Sequence, residues 1–200
     1  MSTDGVVRVE PLTPARWDDA VAVFGTRGDP ASCWCQFFRL AGQDWRESTR
    51  ASNRDALQAQ VLDAGAAAPG LLAYSDGEPA GWVAVAPRAG YPRLGRHRAL
   101  ATVVGADTLA DPSVWSVTCF VVRVGFRRRG VATTLLEAAV EFAAGQGASA
   151  VEGYPVAVAP GERRASSELY HGTRSTFVAA GFEEVGRTSP ARPVMRRVLA

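Results

Sequence analysis

The sequence predicts one mixed α/β domain, with a β-hairpin in the first half and a strand–helix–strand unit in the second. Two strand-like runs flank Asp76-Gly77, a dipeptide typical of tight hairpin turns. Further along, a β-branched and aromatic run, 115–122, precedes an apolar stripe at helical spacing that begins at Val131. With 200 residues, 47% hydrophobic and 21% charged, the chain resembles a single globular domain, and disordered or fibrous classes are excluded.

The first half is expected to begin with a short strand over 6–9 and a helix over 14–24. Pro14 suits the first turn of a helix, and Gly25 ends the apolar periodicity. The segment 25–46 has no such periodicity and is expected to be irregular. The other elements expected here are a helix from the capping-box-like Ser52-Asn53-Arg54-Asp55 to Gly65, hairpin strands at 71–74 and 81–85, an arginine-rich loop at 88–98 and a strand near 102–104.

The second half is expected to contain a strand covered on both faces, followed by the helix with the clearest pattern. Residues of 115–122 are apolar at most positions, which is typical of a buried strand. The helix is predicted over 131–145, because its apolar residues recur three to four positions apart until Gly145. Its stripe comprises Val131, Leu135, Ala138 and Phe142, and the later elements are a strand at 150–154, a helix at 175–180 and strands at 182–186 and 194–199.

Charge and composition exclude several classes of function. The net charge is +2, and acidic residues are spread among the basic ones, so no nucleic-acid or membrane surface is indicated. All 22 basic side chains are arginine, which excludes a lysine Schiff base and a P-loop. The same arginine bias is typical of GC-rich coding, so a bacterial source is expected.

The sequence carries no sign of a membrane, of secretion or of a metal. No apolar run approaches the roughly 20 residues of a membrane-spanning helix, and residues 1–10 lack a targeting pattern, so a cytoplasmic protein is expected. Three cysteines cannot form a disulfide framework. Cys33 and Cys35 supply two of the four ligands that a structural zinc site needs, so no metal is expected.

The strongest functional signal lies between the buried strand and the helix that starts at Val131. Three adjacent arginines, 127–129, and then Gly130 fill this turn. The first amides of a helix lack partners within the helix and lie at the positive end of its dipole, and glycine lets an anion approach the backbone. Adjacent arginines alone would more often form a solvated turn. Their place between a strand and a helix favours a pyrophosphate site.

This segment resembles the phosphate-binding loop of the GCN5-related N-acetyltransferases, the GNAT family, which has the pattern Arg/Gln-x-x-Gly-x-Gly/Ala. Here the matching residues are Arg127, Gly130 and Ala132. Phe177-x-x-x-Gly181-Phe182 is similar to the family's closing Tyr-x-x-x-Gly-Phe segment. The resemblance implies acetyl-CoA as cosubstrate. It also implies a GNAT-like, mostly antiparallel sheet that splays between its fourth and fifth strands, with helices on both faces.

The resemblance further implies one acetyltransferase domain over 1–200, with the acceptor side in 6–110 and the acetyl-CoA half in 111–200. Backbone groups of the strand would face the pantetheine arm, and those of the turn would hold the pyrophosphate. The implied acetyl-CoA-binding residues are Phe120, Val121, Val122, Arg127, Arg128, Arg129, Gly130, Val131, Ala132 and Thr133. The expected acceptor-binding residues are Trp34, Phe38, Tyr91 and Tyr154, for which ordinary core burial is the alternative.

The sequence departs from the family at the position concerned with proton transfer. The family tyrosine that protonates the departing thiolate falls at Phe177, which has no hydroxyl. Glu152 is the candidate base and Tyr170 the candidate acid, with His171 as a second nearby donor. The alternatives are an outward-facing charge for Glu152, a packed aromatic for Tyr170 and a surface or capping residue for His171. Protonation by solvent is a further alternative.

These features predict N-acetyl transfer from acetyl-CoA to the amine of a small molecule, such as a metabolite or an antibiotic. A monomer or a homodimer is expected. One alternative is a protein or peptide N-acetyltransferase, which should have an open groove for an extended chain. Another is a non-catalytic CoA-binding regulatory module, which the phenylalanine at position 177 favours.

Overall fold

The computed structural model describes residues 7–159, 161–162 and 164–199, and its strands form a single sheet. The strands are β1 (Val7–Pro11), β2 (Gly70–Ser75), β3 (Glu78–Pro87), β4 (Val114–Val122), β5 (Ala150–Gly153), β6 (Glu183–Ser189) and β7 (Arg192–Val198). Their order across the sheet is β1-β2-β3-β4-β5-β7-β6. This is the mixed, mostly antiparallel sheet that the resemblance implies.

Helices cover both faces of this sheet. They are α1 (Trp17–Phe24), α2 (Gly28–Cys33), α3 (Gln43–Glu47), α4 (Arg50–Leu62), α5 (Pro92–Gly95), α6 (Arg98–Val104), α7 (Val131–Gly145), α8 (Ser166–Leu169) and α9 (Arg174–Ala179). Within the described part of the chain, none of these helices has the length and hydropathy needed to cross a membrane.

The sheet opens between β4 and β5. These two strands are parallel, whereas the other neighbouring pairs are antiparallel. Val114–Val117 pairs with Ala150–Gly153, and β4 then continues to Val122 beyond the end of β5. Thr118 is an extra residue in the ladder with β3, which makes it a β-bulge at the point of separation. The predicted splay between the fourth and fifth strands is confirmed.

The helix α7 packs closely over the middle of the sheet. A side chain at Gly81 of β3 would place its Cβ 3.0 Å from Val131 and 3.2 Å from Leu135, so glycine permits this close approach. The predicted stripe is confirmed in part, because Val131 and Leu135 are buried whereas Ala138 and Phe142 are half-buried. The other buried residues of α7 are Leu136, Ala139, Val140 and Ala143.

The opposite face of the sheet is covered by α1, α2 and α4. Their core cluster is centred on Trp82 of β3, whose ring contacts Phe24 with 5.7 Å between ring centroids. Phe24 in turn stacks on Trp34 at 4.7 Å. The sheet therefore has one face covered by α7 and another covered by α1, α2 and α4. The gap between β4 and β5 opens to both faces.

Most predicted elements are confirmed, and four local predictions are wrong. One of these is the loop expected over 88–98, which contains α5 and the first residue of α6. The hairpin turn has φ +52° at Asp76 and +84° at Gly77, as a type I′ turn requires. The segment 25–46 is not irregular throughout, since α2 and α3 lie in it. The helix α4 begins at Arg50, two residues earlier than predicted, because Thr49 and Ser52 form the capping box.

The strand predicted near 102–104 is instead the last turn of α6. The ring of His97 caps this helix by accepting a hydrogen bond from the Leu100 amide at 3.1 Å. Leu100 is buried in a third cluster, and Val103 packs where a Cβ on Gly186 of β6 would lie only 2.6 Å away. Tertiary contacts therefore override the β-propensity of Thr102-Val103-Val104.

Candidate active site

Two cavities lie on opposite faces of β4 where it separates from β5. The front cavity, on the α2–α4 side, has a volume of about 630 Å³. The rear groove, beside the start of α7, has a volume of about 410 Å³. Successive side chains of a strand point to opposite faces, so Cys119 and Val121 line the front cavity and Phe120 and Val122 the rear groove. Tyr170 lines both cavities, which makes it the shared wall.

The rear groove contains most of the residues that the sequence assigned to the cosubstrate. These are Phe120, Val122, Arg127, Arg128, Gly130, Val131, Ala132 and Thr133. Val121 is not among them, because its side chain faces the front cavity and the antiparallel ladder directs its amide toward β3. Arg129 does not line the groove either, and its guanidinium lies 5.8 Å from the centre of the Phe126 ring.

The turn before α7 is built to leave backbone amides free. Gly130 has φ +77°, and a Cβ there would meet no atom within 4 Å, so the space in front of it is open. The first amides bonded within the helix are those of Thr133 and Thr134, which donate to the Gly130 carbonyl at 2.9 and 3.1 Å. The two amides before them, at 131 and 132, line the groove at the positive end of the helix dipole. Together with the arginines of the turn, this arrangement fits a pyrophosphate.

The exposed edge of β4 is partly occupied by the chain itself. The Phe120 amide donates to the Tyr170 carbonyl at 2.6 Å, and Nδ1 of His171 lies 3.0 Å from the Thr118 carbonyl. Nε of Arg127 donates to the Val122 carbonyl at 3.1 Å. The alternation of the ladder places two further groups on this edge, the Phe120 carbonyl and the Val122 amide.

Tyr170 lies at the junction of the two cavities with its hydroxyl protonated. Its pKa is raised, mainly by burial and next by the nearby carboxylate of Asp29. A phenol with a raised pKa keeps its proton at neutral pH. Tyr170 is therefore the one of the two predicted catalytic residues that the structure brings to the space between the cavities.

His171 lines the front cavity beside Tyr170 and is neutral. A carbonyl only accepts hydrogen bonds, so the contact with Thr118 requires the proton on Nδ1 and leaves a lone pair on Nε2. Burial lowers the pKa of His171 below its ordinary value. The edge of its ring packs against Phe38, with 5.4 Å between centroids. A neutral imidazole in this position can accept a proton.

Glu152 is not placed to act as a base, contrary to the sequence-based expectation. Its side chain has no exposed surface, and Oε2 accepts hydrogen bonds from Arg88 Nη1 at 2.8 Å and from the Tyr154 hydroxyl at 3.0 Å. Oε1 accepts from Nε of Arg196 at 2.9 Å. Ser116 completes the network by a 2.9 Å bond to the Tyr154 hydroxyl. Both carboxylate oxygens therefore have arginine partners inside the protein.

Of the four aromatic residues assigned to the acceptor, only Phe38 lines the front cavity. Trp34 and Tyr91 are each 1% exposed and belong to the core. The hydroxyl of Tyr154 is bonded within the Glu152 network, and its pKa is raised well above the ordinary value by burial and by that carboxylate. These three residues are therefore buried core residues, which was the alternative to acceptor binding.

Phe177 occupies the core and does not line either cavity. Its ring lies so close to β5 that a Cβ on Gly153 would be 2.0 Å from Cε1 and 2.4 Å from Cζ. The same ring packs edge-on against Phe182 at 5.0 Å and Phe120 at 6.2 Å. A tyrosine hydroxyl would have to be accommodated inside this cluster.

Several lining residues were not predicted from the sequence. They are Asp29, Arg46, Arg50, Asn53 and Cys119, whereas Phe37 and Trp45 were expected in an aromatic acceptor recess and do line the cavity. Trp34 (φ +48°) and Cys35 (φ +55°) are two consecutive left-handed residues. Both are buried, but Cys35 also lines the cavity and Trp34 does not. Only the aromatic run around Phe37 and Phe38 gave a sequence signal for this recess.

A third cavity of about 950 Å³ continues from the rear groove. The two share Arg128, Leu169 and Thr173, and Arg164 and Arg174 line the third cavity further out. Among the residues described, no three His, Cys, Asp or Glu side chains are grouped so that they could hold a metal ion. The site as a whole thus consists of an apolar front recess, a shared wall and a basic rear channel.

The segment that forms most of both cavities also matches a known protein family. The model of the acetyltransferase (GNAT) family matches residues 34–171, from the left-handed turn in the front cavity to the Tyr170-His171 pair. No curated protein matches the chain.

Solved structures share the fold over almost the whole chain. The PaiA N-acetyltransferase of Thermoplasma acidophilum, solved in complex with coenzyme A, is 12% identical over 97% of this chain and 99% of its own, with a TM-score of 0.55. A GCN5-related N-acetyltransferase from Kribbella flavida is 17% identical, with coverages of 96% and 98% and a TM-score of 0.55. The GNAT domain of S. lividans PAT is 17% identical, with coverages of 98% and 92% and a TM-score of 0.54.

Proposed function

Since the chain belongs to the GNAT family of acetyltransferases, we propose that it transfers the acetyl group of acetyl-CoA to the amine of a small molecule. The observation that carries this proposal is the shared wall. Tyr170 borders both an apolar front cavity and a basic rear groove, so two different ligands would meet beside this residue. A front cavity of about 630 Å³ is in the usual range for small-molecule sites.

The residues of the rear groove fit acetyl-CoA, which would supply the acetyl group as a thioester. The amides of Val131 and Ala132 and the side chains of Arg127 and Arg128 would hold the pyrophosphate. The arginines of the third cavity suit the more distant phosphate of the nucleotide end. The Phe120 carbonyl and the Val122 amide are the groups of the open β4 edge that would orient the pantetheine arm.

Acetyl transfer forms a carbon–nitrogen bond and breaks a carbon–sulfur bond. An alkylammonium acceptor loses one proton before it can attack and a second as the amide forms, whereas the departing sulfur gains one. We assign removal of the first proton to the Nε2 lone pair of His171, in the front cavity, which would then release it to solvent. We assign protonation of the sulfur to the hydroxyl of Tyr170, which would regain its proton from the amide nitrogen. This assignment replaces Glu152 as the base and keeps Tyr170 as the acid.

The purified protein should release thiol from acetyl-CoA in the presence of a suitable amine. We expect turnover with small amines and none with peptides, because the front cavity, of about 630 Å³, has the size of a small-molecule site. Acetylation of peptides in preference to all small amines would favour the protein-acetyltransferase alternative. Tight binding of acetyl-CoA without turnover on any amine or peptide would favour a regulatory module.

Replacing Gly130 with tyrosine is expected to weaken acetyl-CoA binding at least about 10-fold. The substitution adds a ring to the open space before the groove and strains a backbone with φ +77°. Isothermal titration calorimetry with acetyl-CoA measures the change in affinity. Gly125→Tyr is the matched control, because Gly125 also has open space around it but does not line the groove. Equal affinities of the two variants would mean that the turn is not the phosphate site.

Replacing Tyr170 with phenylalanine is expected to lower kcat by about 10- to 100-fold with little change in acetyl-CoA affinity. The effect is moderate because a thiolate with a pKa of about 8.5 can also be protonated by solvent. Steady-state kinetics, with pre-steady-state measurement of the chemical step, separates this effect from slow product release. Tyr74→Phe is the control, since that hydroxyl is bonded to Asp19 away from both cavities. An unchanged kcat in Tyr170→Phe would indicate that solvent, and not Tyr170, protonates the departing thiolate.

A companion variant asks whether the family acid can be restored at position 177. We expect Phe177→Tyr not to rescue Tyr170→Phe, because the ring at 177 is enclosed between Gly153, Phe120 and Phe182. Overpacking of this kind typically costs about 1–3 kcal/mol of stability. Rescue of kcat in the double variant would show that a hydroxyl at 177 reaches the thiolate.

A further inference from the structure

The charges around the front cavity are unusual for a site that accepts an amine. Among the described residues that line it, Asp29 is the one carboxylate, whereas Arg46 and Arg50 contribute two guanidinium groups. The thiols in the wall add no negative charge, because burial raises the pKa of Cys33 to about 11 and raises that of Cys35 well above its ordinary value. An acceptor with several ammonium groups would therefore meet more positive than negative charge.

The negative and positive groups of the cavity are carried by different helices. Asp29 is on α2, and its carboxylate contributes to the raised pKa of the Tyr170 hydroxyl. The two arginines are on α3 and at the first residue of α4. Arg50 is held there by a 3.0 Å hydrogen bond from Nη1 to the Thr26 carbonyl. A ligand with its amine at the wall would present its other end to the arginines.

The walls between these charges are apolar and aromatic. Phe37 contacts Phe38 and Trp45 edge-on, with ring centroids 5.2 and 5.3 Å apart. All three side chains line the cavity, and such rings favour an aromatic or large aliphatic group. A flexible polyamine or a sugar, which carries polar groups along its whole length, would bury them here without partners.

One buried polar group in this wall also lacks a partner. Asn53 is 3% exposed, and its Nδ2 donates to the Ser32 carbonyl at 2.9 Å. Its Oδ1 has no hydrogen-bond partner within the described part of the chain. A buried amide oxygen of this kind is normally satisfied, and an N–H donor on a bound molecule would satisfy it after a small adjustment of the side chain.

We propose that the acceptor is an amino acid, or an amino-acid-like molecule, with one amine, one carboxylate and an apolar side chain. Its carboxylate would bind the guanidinium groups of Arg46 and Arg50, which match carboxylate geometry. Its side chain would pack against the aromatic cluster of Phe37, Phe38 and Trp45, and its amine would lie near Asp29 at the shared wall. This inference rests on the proposed function, since it names the substrate class of the same site.

Initial rates of thiol release from acetyl-CoA test this class directly. The probes are L-phenylalanine, L-tryptophan, L-leucine and L-methionine, each compared with its amide and with the corresponding decarboxylated amine. Spermidine and kanamycin represent polycationic acceptors. We expect kcat/KM for at least one of the four amino acids to exceed that of its amide by at least about 10-fold, because the amide lacks the charge that the arginines bind.

The double substitution Arg46→Gln/Arg50→Gln tests the assigned contacts. It should raise KM for the preferred amino acid at least about 10-fold and leave kcat/KM for the decarboxylated amine within about 2-fold. Arg98→Gln is the control, because Arg98 is exposed and does not line the cavity. Its kinetic constants should equal those of the unmodified protein.

The outcomes separate this inference from the function on which it rests. Turnover of spermidine, kanamycin or the decarboxylated amines, with none of the four amino acids used, would overturn the amino-acid class and leave acetyl transfer intact. An equal loss for the amino acid and the decarboxylated amine in the arginine variant would also overturn it. Failure to bind acetyl-CoA in calorimetry would instead overturn the proposed function itself.

Discussion

Glu152→Gln is expected to lower the free energy of unfolding by about 3–5 kcal/mol, because it removes the negative charge from a buried ion pair and leaves its partner unpaired. The side chains of Glu152 and Arg88 have no exposed surface and are joined by a 2.8 Å contact. Arg88 also donates to the backbone carbonyls of Thr108 and Leu109, so it cannot move easily to solvent. Glutamine preserves the volume, which confines the change to charge and hydrogen bonding.

Denaturation by urea, followed by circular dichroism, measures this loss through the shift in midpoint. The matched control is Glu184→Gln, which removes a carboxylate from two partly exposed ion pairs with Arg174 and Arg187. Its effect should be within about 1 kcal/mol. Arg196→Gln should have an intermediate effect, since Arg196 is 28% exposed and its loss leaves Glu152 bonded to Arg88.

These variants also decide between a structural and a catalytic role for Glu152. A structural role predicts lower stability together with near-normal kcat at temperatures where the variant is folded. If Glu152→Gln kept the stability of the unmodified protein but lost turnover by 10²-fold, Glu152 would be the base that the sequence suggested. Arg196→Gln provides the same comparison if Glu152→Gln does not fold.

His171→Asn is expected to lower kcat by at least about 10²-fold. Asparagine keeps an N–H donor near the position of Nδ1, so the bond to the Thr118 carbonyl can be retained. What it removes is the Nε2 lone pair, which we assign as the acceptor of the amine's proton. Acetyl-CoA affinity, measured by calorimetry, should change little because His171 does not line the rear groove.

The pH dependence of kcat provides an independent readout for His171. Burial lowers its pKa in the folded protein, so the neutral base is fully present above the ordinary value of about 6.5. Activity should therefore be flat above that pH and should fall as the pH drops through the lowered pKa. The asparagine variant should lack this acidic limb.

His97→Asn is the matched control, since His97 caps α6 and does not line the front cavity. Asparagine is itself a favourable capping residue, so both stability and kcat should be retained. Equal kcat values and equal pH profiles in the His171 variant and the unmodified protein would contradict the assignment. A loss of acetyl-CoA affinity as large as the loss of kcat would indicate that His171 supports the wall rather than the chemistry.

Short local patterns in the sequence were sufficient to predict the hairpin, α7 and the glycine-containing turn before α7. A turn at Asp76-Gly77 depends on two residues that accept positive φ, and both have it. The position of α7 follows from its own apolar period and from Gly130 before its first residue. Because helix termini expose amides wherever they occur, the sequence could also place the start of α7, whose first residues line the rear groove.

The prediction of α6 as a strand and of Trp34 as an acceptor contact failed for a common reason. Thr102-Val103-Val104 has strand propensity, yet packing of Val103 at Gly186 favours a helix. Trp34 and Cys35 are both left-handed and both pack in the same core cluster, yet Cys35 lines the front cavity and Trp34 does not. Neither secondary-structure propensity nor composition predicts which side chains of a segment will be buried by residues that are distant in sequence.

The roles of the candidate catalytic residues were decided by tertiary structure alone. Glu152 obtains its partners from Arg88, 64 residues earlier, and Arg196, 44 residues later. His171 is oriented by the Thr118 carbonyl, 53 residues away, at the edge that the splay of β4 and β5 leaves open. The sequence by itself determined which residues were candidates for a base, an acid and an anion site. Only the folded chain decided that Glu152 is paired with two arginines and that His171 lines the front cavity. Burial and hydrogen bonding depend on residues that are distant in sequence.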